Sequence, residues 1–266
     1  MIETSLIWIV TDIDGTLMDH SYDLNPAKET INWLKDLKIP VILCTSKTRA
    51  EVQEIRRELN IYDPYIVENG GAIYGEYSDG KNWELILGKS YFELEKILMK
   101  ISEEIDYYLK PLNELSDSEA TVLTGLTGNS LNLMRDRHWS MPFLNPPDNL
   151  EKKIINSSSK YEVNIFRGNR MSHLLYKGSN KGKAIKKLVE YSKNFNVKII
   201  GLGDSPNDLP LLNNSTYKVV IPGPDGPNRK LLSDLKGSKY ILSDEANGFG
   251  WRKEVSILVN NLISKK

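Results

Sequence analysis

With 266 residues and 40% hydrophobic side chains, the chain is long enough to bury one large core or two smaller ones. Its 35 Lys and Arg balance 35 Asp and Glu, and no long basic block stands out, which argues against nucleic acid or an anionic membrane surface as the principal partner. The lone Cys44 excludes an intrachain disulfide framework and, with no leader-like or membrane-length apolar run, predicts a cytoplasmic protein.

The first element, residues 7–10, is a continuous run of Ile, Trp, Ile and Val, the pattern of a strand covered on both faces of a parallel sheet. It leads into Asp12, Ile13, Asp14, Gly15 and Thr16. Two carboxylates two residues apart on a glycine turn can divide labour, one attacking or binding metal and the other moving protons, although Asp and Gly are also ordinary turn residues. Asn25 followed by Pro26 predicts the N-cap and first position of a helix with an apolar stripe at Ile31, Leu34 and Leu37. Residues 41–44 read as a second strand ending in Thr45, Ser46 and Lys47, after which Thr48 and Glu51 form a capping box for the next helix. Residues 65–67 read as a third strand ending in Glu68 and Asn69, and 72–74 with 83–87 as a hairpin about Ser78, Asp79 and Gly80.

The rhythm then changes. Residues 88–175 carry helices near 91–105 and 116–124, a proline-rich stretch at 142–147, and a hairpin of 161–166 with 171–176 about Gly168 and Asn169. This reads as an inserted α+β unit, leaving 1–87 and 176–266 as a doubly wound parallel-sheet core. In the second half of that core, 182–191 is a helix, 197–202 a strand, Asp204 to Pro206 a helix start, 217–221 a strand, and 255–263 the closing helix.

Four strand ends therefore carry polar groups: Asp12 and Asp14; Thr45 and Lys47; Glu68 and Asn69; Asp204 and Asp208. Parallel strands present these ends along one edge of the sheet, where ligands bind in open α/β folds. Clustered carboxylates repel unless a cation lies among them, and Mg²⁺, which favours oxygen ligands beside a substrate phosphate, suits the set. Asp204 also fits a helix N-cap. Lys181, at a helix N-terminus, can neutralise a phosphate and a carboxylate together, whereas His20 and His138 read as surface residues.

Taken in order, DIDGT at 12–16, Thr45, Lys181 before Gly182, and GDSPND at 203–208 resemble the four motifs of the haloacid-dehalogenase phosphatases. ENGG at 68–71 and the position of the insertion resemble the Cof-type branch, whose α/β cap is of the larger kind. TSKTRAE at 45–51, Tyr22 with Asp23, RGNR at 167–170 and GFGWRKEV at 248–255 are similar to the mannosyl-3-phosphoglycerate and glucosyl-3-phosphoglycerate phosphatases.

That resemblance implies an aspartyl-phosphate on Asp12, general acid–base work by Asp14, and Mg²⁺ held through Asp12, Asp14 (by its carbonyl) and Asp204, with Asp208 behind. It implies a phosphate cradle of Thr45, Lys181 and the backbone at Ile13, Asp14 and Ser46. Lys47, Glu68, Asn69, Asn207, Arg137, Arg167, Arg170 and His173 are the further candidates for substrate contact, and the arginines suit a carboxylate beside the phosphate. The implied substrate is a small phosphorylated glycosylglycerate, handled by a monomer or homodimer. Where the family usually places an acid before a proline, this chain has Met141 before Pro142, so a hydrogen-bond acceptor for sugar hydroxyls is missing there. A phosphatase for another sugar phosphate and a phosphomutase or phosphotransferase are the alternatives on the same motifs, and fold alone does not choose among them.

Overall fold

Strand β1 (Ile7–Thr11) is buried at every position, and its side chains alternate between two cores. Ile7 and Ile9 pack with Leu43 and Trp251, while Trp8 and Val10 pack with Ile42 and Ile185. This period of two is what a strand covered on both faces requires. The structure is a computed structural model and describes residues 5–19, 21–168 and 170–264; His20 and Asn169 lie outside the described residues.

After β1, helix α1 (Asn25–Asp36) leads to β2 (Val41–Leu43), and α2 (Arg49–Leu59) to β3 (Tyr65–Val67). The hairpin β4 (Ala72–Glu76) and β5 (Asn82–Ile86) follows. Then come α3 (Tyr91–Ile105), α4 (Asp117–Thr124), α5 (Gly128–Arg135), β6 (Met141–Leu144), α6 (Glu151–Ser158), β7 (Val163–Arg167) and β8 (Met171–Tyr176). The chain closes with α7 (Lys181–Ser192), β9 (Lys198–Gly203), α8 (Leu209–Asn213), β10 (Tyr217–Val220), α9 (Arg229–Asp234), β11 (Ile241–Leu242) and α10 (Asn247–Ile263).

The central sheet runs β11-β10-β9-β1-β2, parallel throughout. A parallel bridge from Cys44 to Ile66 carries it on to β3, which continues antiparallel through β4 and β5. The register is flush where chemistry is expected: Thr11 lies opposite both Leu43 and Leu202, so Asp12, Cys44 and Gly203 leave the sheet at one level.

Residues 91–176 build a separate antiparallel sheet, β6-β8-β7. Their apolar side chains form two clusters of their own, one around Leu98, Met141, Phe143 and Leu174 and the other around Leu112, Leu131, Met134 and Met171. No helix among the described residues is long and apolar enough to cross a membrane.

Three sequence expectations shift. Asn25 lies inside α1 instead of capping it, and the Asp23 side chain accepts its N–H at 2.9 Å. The proline-rich stretch contains β6, tolerated because β6 ends its sheet, with β8 on one side and only a bridge from Phe143 to Pro111 on the other, and such an edge strand can spare the N–H that Pro142 lacks. Helix α10 begins at Asn247, two turns before the expected start, because Gly248 and Gly250 mask its pattern. A side chain at Gly250 would put its Cβ 2.1 Å from the Glu245 carbonyl oxygen, so that turn needs glycine for space.

Helix α10 is bolted to the sheet at the strand that carries Asp12. Buried Trp251 donates its indole N–H to Thr11 Oγ1 at 3.0 Å, and Thr11 donates to the carbonyl of Asp12 at 2.7 Å. Trp251→Phe should retain the fold while losing about 1–3 kcal/mol, because the indole donor disappears from a dry site. A urea-unfolding midpoint unchanged from wild type would show that this bond contributes nothing.

Candidate active site

The turn after β1 winds back on itself: the Ile13 carbonyl accepts the N–H groups of Thr16, Leu17 and Met18 at 2.9–3.2 Å. Gly15 makes this possible with a φ of 79°, and a Cβ there would lie 2.7 Å from Asp204 Oδ2. The first Asp of the turn faces inward. Asp12 Oδ1 accepts a hydrogen bond from Lys181 Nζ at 2.6 Å, and the same ammonium donates to Asp208 Oδ1 at 2.5 Å.

Lys181 is buried and sits at the first residue of α7, whose N-cap Asn180 accepts the Lys183 N–H. The other oxygen of Asp208 accepts the backbone N–H groups of Asp204 and Ser205 at 3.1 Å each, so Asp208 shapes the loop after β9. Ser205, not Asp204, is the N-cap of that turn, which leaves Asp204 to accept from Thr16 Oγ1 at 3.3 Å.

Asp12, Asp204 and Asp208 each offer an oxygen within 4.8 Å of the others, against the single ammonium of Lys181. Burial, then the charge of Asp208, pushes the Asp12 carboxyl up to about 7, with Lys181 pulling the other way. Burial, then Asp208 and Asp12, pushes Asp204 to about 9. Burial disfavours the Lys181 ammonium, yet the two aspartates hold its pKa above the ordinary lysine value. Hard oxygen donors with unbalanced negative charge are what a divalent cation requires, so these residues fit a metal ion.

Above this buried cluster lies a cleft of about 500 Å³ between the core and the 91–176 unit. The core contributes Asp14, Ser46, Lys47 and Tyr22; the other wall contributes Arg137, Arg170, His173 and Met134. Asp14 is ion-paired with Lys47 at 3.1 Å, and Lys47 also approaches Glu51 at 3.5 Å. Asp14 therefore stands apart from the acidic cluster through its side chain. Thr45 is buried, its Oγ1 accepting the Lys47 N–H at 3.1 Å, and its carbonyl accepts the Asn69 N–H at 2.8 Å. Arg137 Nη1 reaches the Ser46 carbonyl at 3.1 Å and Ser140 Oγ at 3.0 Å, while Arg170 Nη1 donates to the Thr124 carbonyl at 2.6 Å.

Some candidates for substrate contact lie elsewhere. Glu68 is fully buried, and both carboxylate oxygens are taken by the 138–140 segment, so it does not line the cleft. Arg167 turns away to pair with Asp148 at 2.8 Å and with the Pro146 carbonyl. Asn69 and Asn207 bond to each other at 3.2 Å, and Ile13 is buried, offering only its backbone. Met141 is wholly buried in the apolar cluster of the 91–176 unit, so its replacement of an acid is a packing matter and leaves the cleft wall unaltered. His138 is exposed beside Asp136, as expected of a surface histidine. Sequence reasoning missed Asp19, Thr124, Leu126, Met134 and Met171 as lining residues, because no spacing signal marks them.

This geometry defines a class. The chain matches the family model of haloacid dehalogenase-like hydrolases over residues 9–222 and belongs to that family. It is 31% identical to a glucosyl-3-phosphoglycerate/mannosyl-3-phosphoglycerate phosphatase of Persephonella marina over 96% of this chain and 97% of that one. A protein of the same description from Methanococcoides burtonii is 32% identical, over 94% and 96% respectively. Among solved structures, a Thermoplasma acidophilum protein superposes with a TM-score of 0.70 at 20% identity, covering 95% of this chain and 97% of its own. The sucrose-phosphatase of Synechocystis does so at 0.67 and 15%, covering 96% and 98%. These two show the same fold.

Two outcomes test the electrostatics. Lys181→Met leaves Asp12 and Asp208 buried without their common cation and should cost about 3–5 kcal/mol in urea unfolding; a loss below about 1 kcal/mol would contradict the arrangement. His173 is pushed down to about 3, first by burial and then by the Arg137 charge. Below its ordinary value of 6.5, the unfolded imidazole takes a proton that the folded one refuses until about pH 3. The unfolded state then binds more protons, so stability falls as pH drops through that window. His173→Gln should lose less stability than wild type between about pH 7 and about pH 4, and parallel curves would count against a neutral imidazole at this position.

Proposed function

We propose that the chain is a Mg²⁺-dependent phosphatase that hydrolyses glucosyl- or mannosyl-3-phosphoglycerate to the glycosylglycerate and phosphate. The observation that carries this reading is the juxtaposition of Asp12, held by Lys181 in the acidic cluster, with a cleft whose opposite wall presents Arg137 and Arg170. The names of the Persephonella and Methanococcoides relatives support the substrate.

In this reading residues 1–87 and 176–266 are the catalytic core, and 88–175 are a cap that closes over the substrate. Asp12, whose Oδ1 is engaged by Lys181, attacks phosphorus through its other oxygen. As the bond to the glycerate oxygen breaks, Asp14 gives that oxygen a proton; it then takes one from the water that cleaves the phosphoryl group from Asp12. Lys47, 3.1 Å from Asp14, sets where that carboxylate stands. Thr45, Lys181 and the N–H groups of Ile13, Asp14 and Ser46 hold the phosphoryl oxygens where charge develops. Asp12, the Asp14 carbonyl and Asp204 would hold Mg²⁺, with Asp208 behind them, and the ion would supply positive charge to the transferring group.

Arg137 and Arg170 suit the glycerate carboxylate, beside a His173 that stays neutral near physiological pH. Leu126, Met134 and Met171 give the sugar an apolar wall. The balanced net charge and the cleft's size fit a small anionic substrate in the cytoplasm, with no nucleic acid or membrane as partner.

The test is phosphate release from both glycosyl-phosphoglycerates and from a panel of simple sugar phosphates, with Mg²⁺ and with chelator. The two glycosyl-phosphoglycerates should dominate, chelator should abolish release, and Asp12→Asn should lower turnover more than about a thousandfold. Uniform low activity across the panel would overturn the substrate, and a need for an added acceptor would point to phosphoryl transfer. Mg²⁺ should also displace protons from Asp12 and Asp204, whose carboxyls stand at about 7 and about 9 without it. Calorimetric titration near neutral pH in two buffers of different ionisation enthalpy should therefore show proton release, and identical heats in both would contradict binding at this cluster.

A further inference from the structure

We infer that Glu68 is a positioning residue: it ties the 137–140 segment to the core and so fixes the Arg137 guanidinium at the cleft without itself touching substrate. The inference rests on the reading that the cleft takes a carboxylate-bearing phosphate ester.

Glu68 is 0% exposed, and no lysine, arginine or histidine is paired with it among the described residues. Its Oε1 accepts the His138 N–H at 2.9 Å; its Oε2 accepts the Trp139 N–H at 3.1 Å and the Ser140 hydroxyl at 2.6 Å. These donors come from the far side of the cleft, about seventy residues along the chain. Ser140 relays the contact, because its oxygen also accepts from Arg137 Nη1 at 3.0 Å. The same Nη1 reaches back to the Ser46 carbonyl of the core at 3.1 Å. Arg137 is thus held from two directions, and its Nε is buried with no partner.

The backbone beneath is specialised for this. Glu68 and Asn69 are consecutive non-glycine residues in the left-handed region, with φ of 47° and 57°. Such strain persists only where the surroundings over-determine it. Here the Glu68 N–H donates to the Lys47 carbonyl at 3.0 Å and the Asn69 N–H to that of Thr45 at 2.8 Å. The loop carrying Thr45, Ser46 and Lys47 therefore grips Glu68 from one side while Glu68 grips 138–140 on the other.

The joint is tight. A Cβ at Gly71 would lie 2.4 Å from that of Trp139, whose indole N–H donates to the Tyr74 hydroxyl at 2.9 Å. Adhesion alone would be served as well by an apolar contact, since burying a charge is costly even when it is well bonded. What a carboxylate adds is direction: it orients two N–H groups and one hydroxyl rotamer, and through them one arginine.

The experiment compares wild type, Glu68→Gln, Arg137→Ala and the double variant on a glycosyl-3-phosphoglycerate and on p-nitrophenyl phosphate, which has no carboxylate. Glu68→Gln keeps the shape but turns one acceptor into a donor. It should raise the KM for the glycosyl-phosphoglycerate, relative to that for p-nitrophenyl phosphate, about tenfold. It should also add less than about twofold on top of Arg137→Ala, because the two act through one contact. Equal losses on both substrates, or full additivity, would overturn the inference.

Should Glu68→Gln fail to fold, Ser140→Ala cuts the relay and carries the same expectation. If wild type cleaves p-nitrophenyl phosphate but neither glycosyl-phosphoglycerate, it is the substrate reading that fails. Amide exchange then decides the joint: lost protection at His138 and Trp139 in Glu68→Gln supports it, and unchanged protection overturns it.

Discussion

A single buried ammonium organises this molecule. Lys181 Nζ lies between Asp12 and Asp208, with its whole side chain out of solvent, and each group would be costly to bury without the others. The bond reaches across the fold: Asp12 ends β1, Asp208 follows β9, and Lys181 opens the helix after the 91–176 unit. The parallel register that brings Thr11 level with Leu202 is what makes this pair of 2.5–2.6 Å bonds possible. Even so, three carboxyl groups face one cation, and burial first, then this surplus, displaces Asp12 and Asp204 upward. The site is therefore stable as a scaffold and incomplete as an electrostatic unit, which is the condition for binding a further positive charge.

Around that centre, function is divided by layer. The buried groups belong to the parallel sheet and are fixed by its register, whereas the cleft side chains Arg137, Arg170 and His173 come from a unit with its own sheet and its own apolar clusters. A hydrolase family can keep the first layer and vary the second, because the second has apolar clusters of its own, although Trp139 also packs against the core. Where the layers meet they are joined by polar contacts: Glu68 to 138–140, Arg137 to Ser46, and Thr48 Oγ1 to the Leu133 carbonyl at 2.7 Å.

The sequence made the buried layer legible because parallel strands end at one edge, so polar residues following separate apolar runs must converge there. Asp12, Thr45 and Asp204 could be grouped on that rule alone, whereas Lys181, at a helix N-terminus, joins them only through its place in the order of the motifs. The second layer resisted the same treatment. In β8, His173 and Leu174 point to opposite faces, and the antiparallel register places Met141 opposite Leu174. That register puts Met141 in the core and His173 at the cleft, and it cannot be read from a proline-rich stretch that does not look like a strand. Arg167 and Arg170 frame the same turn, yet one pairs with Asp148 and the other lines the cleft, a choice made by tertiary neighbours. Glu68 looked like a site residue because it ends a strand, but its left-handed backbone turns it towards the joint.

Gly15 sets a limit on how this chain can change over time. Its φ of 79° and the 2.7 Å that would separate a Cβ from Asp204 Oδ2 are independent demands, and satisfying one does not relax the other. A drifting lineage could replace many side chains around the cleft one at a time. At position 15 the smallest step, a single methyl group, would both strain the turn and push aside an oxygen it never bonds to. What position 15 demands is the absence of a side chain, so that the Asp204 carboxylate can lie directly against the backbone.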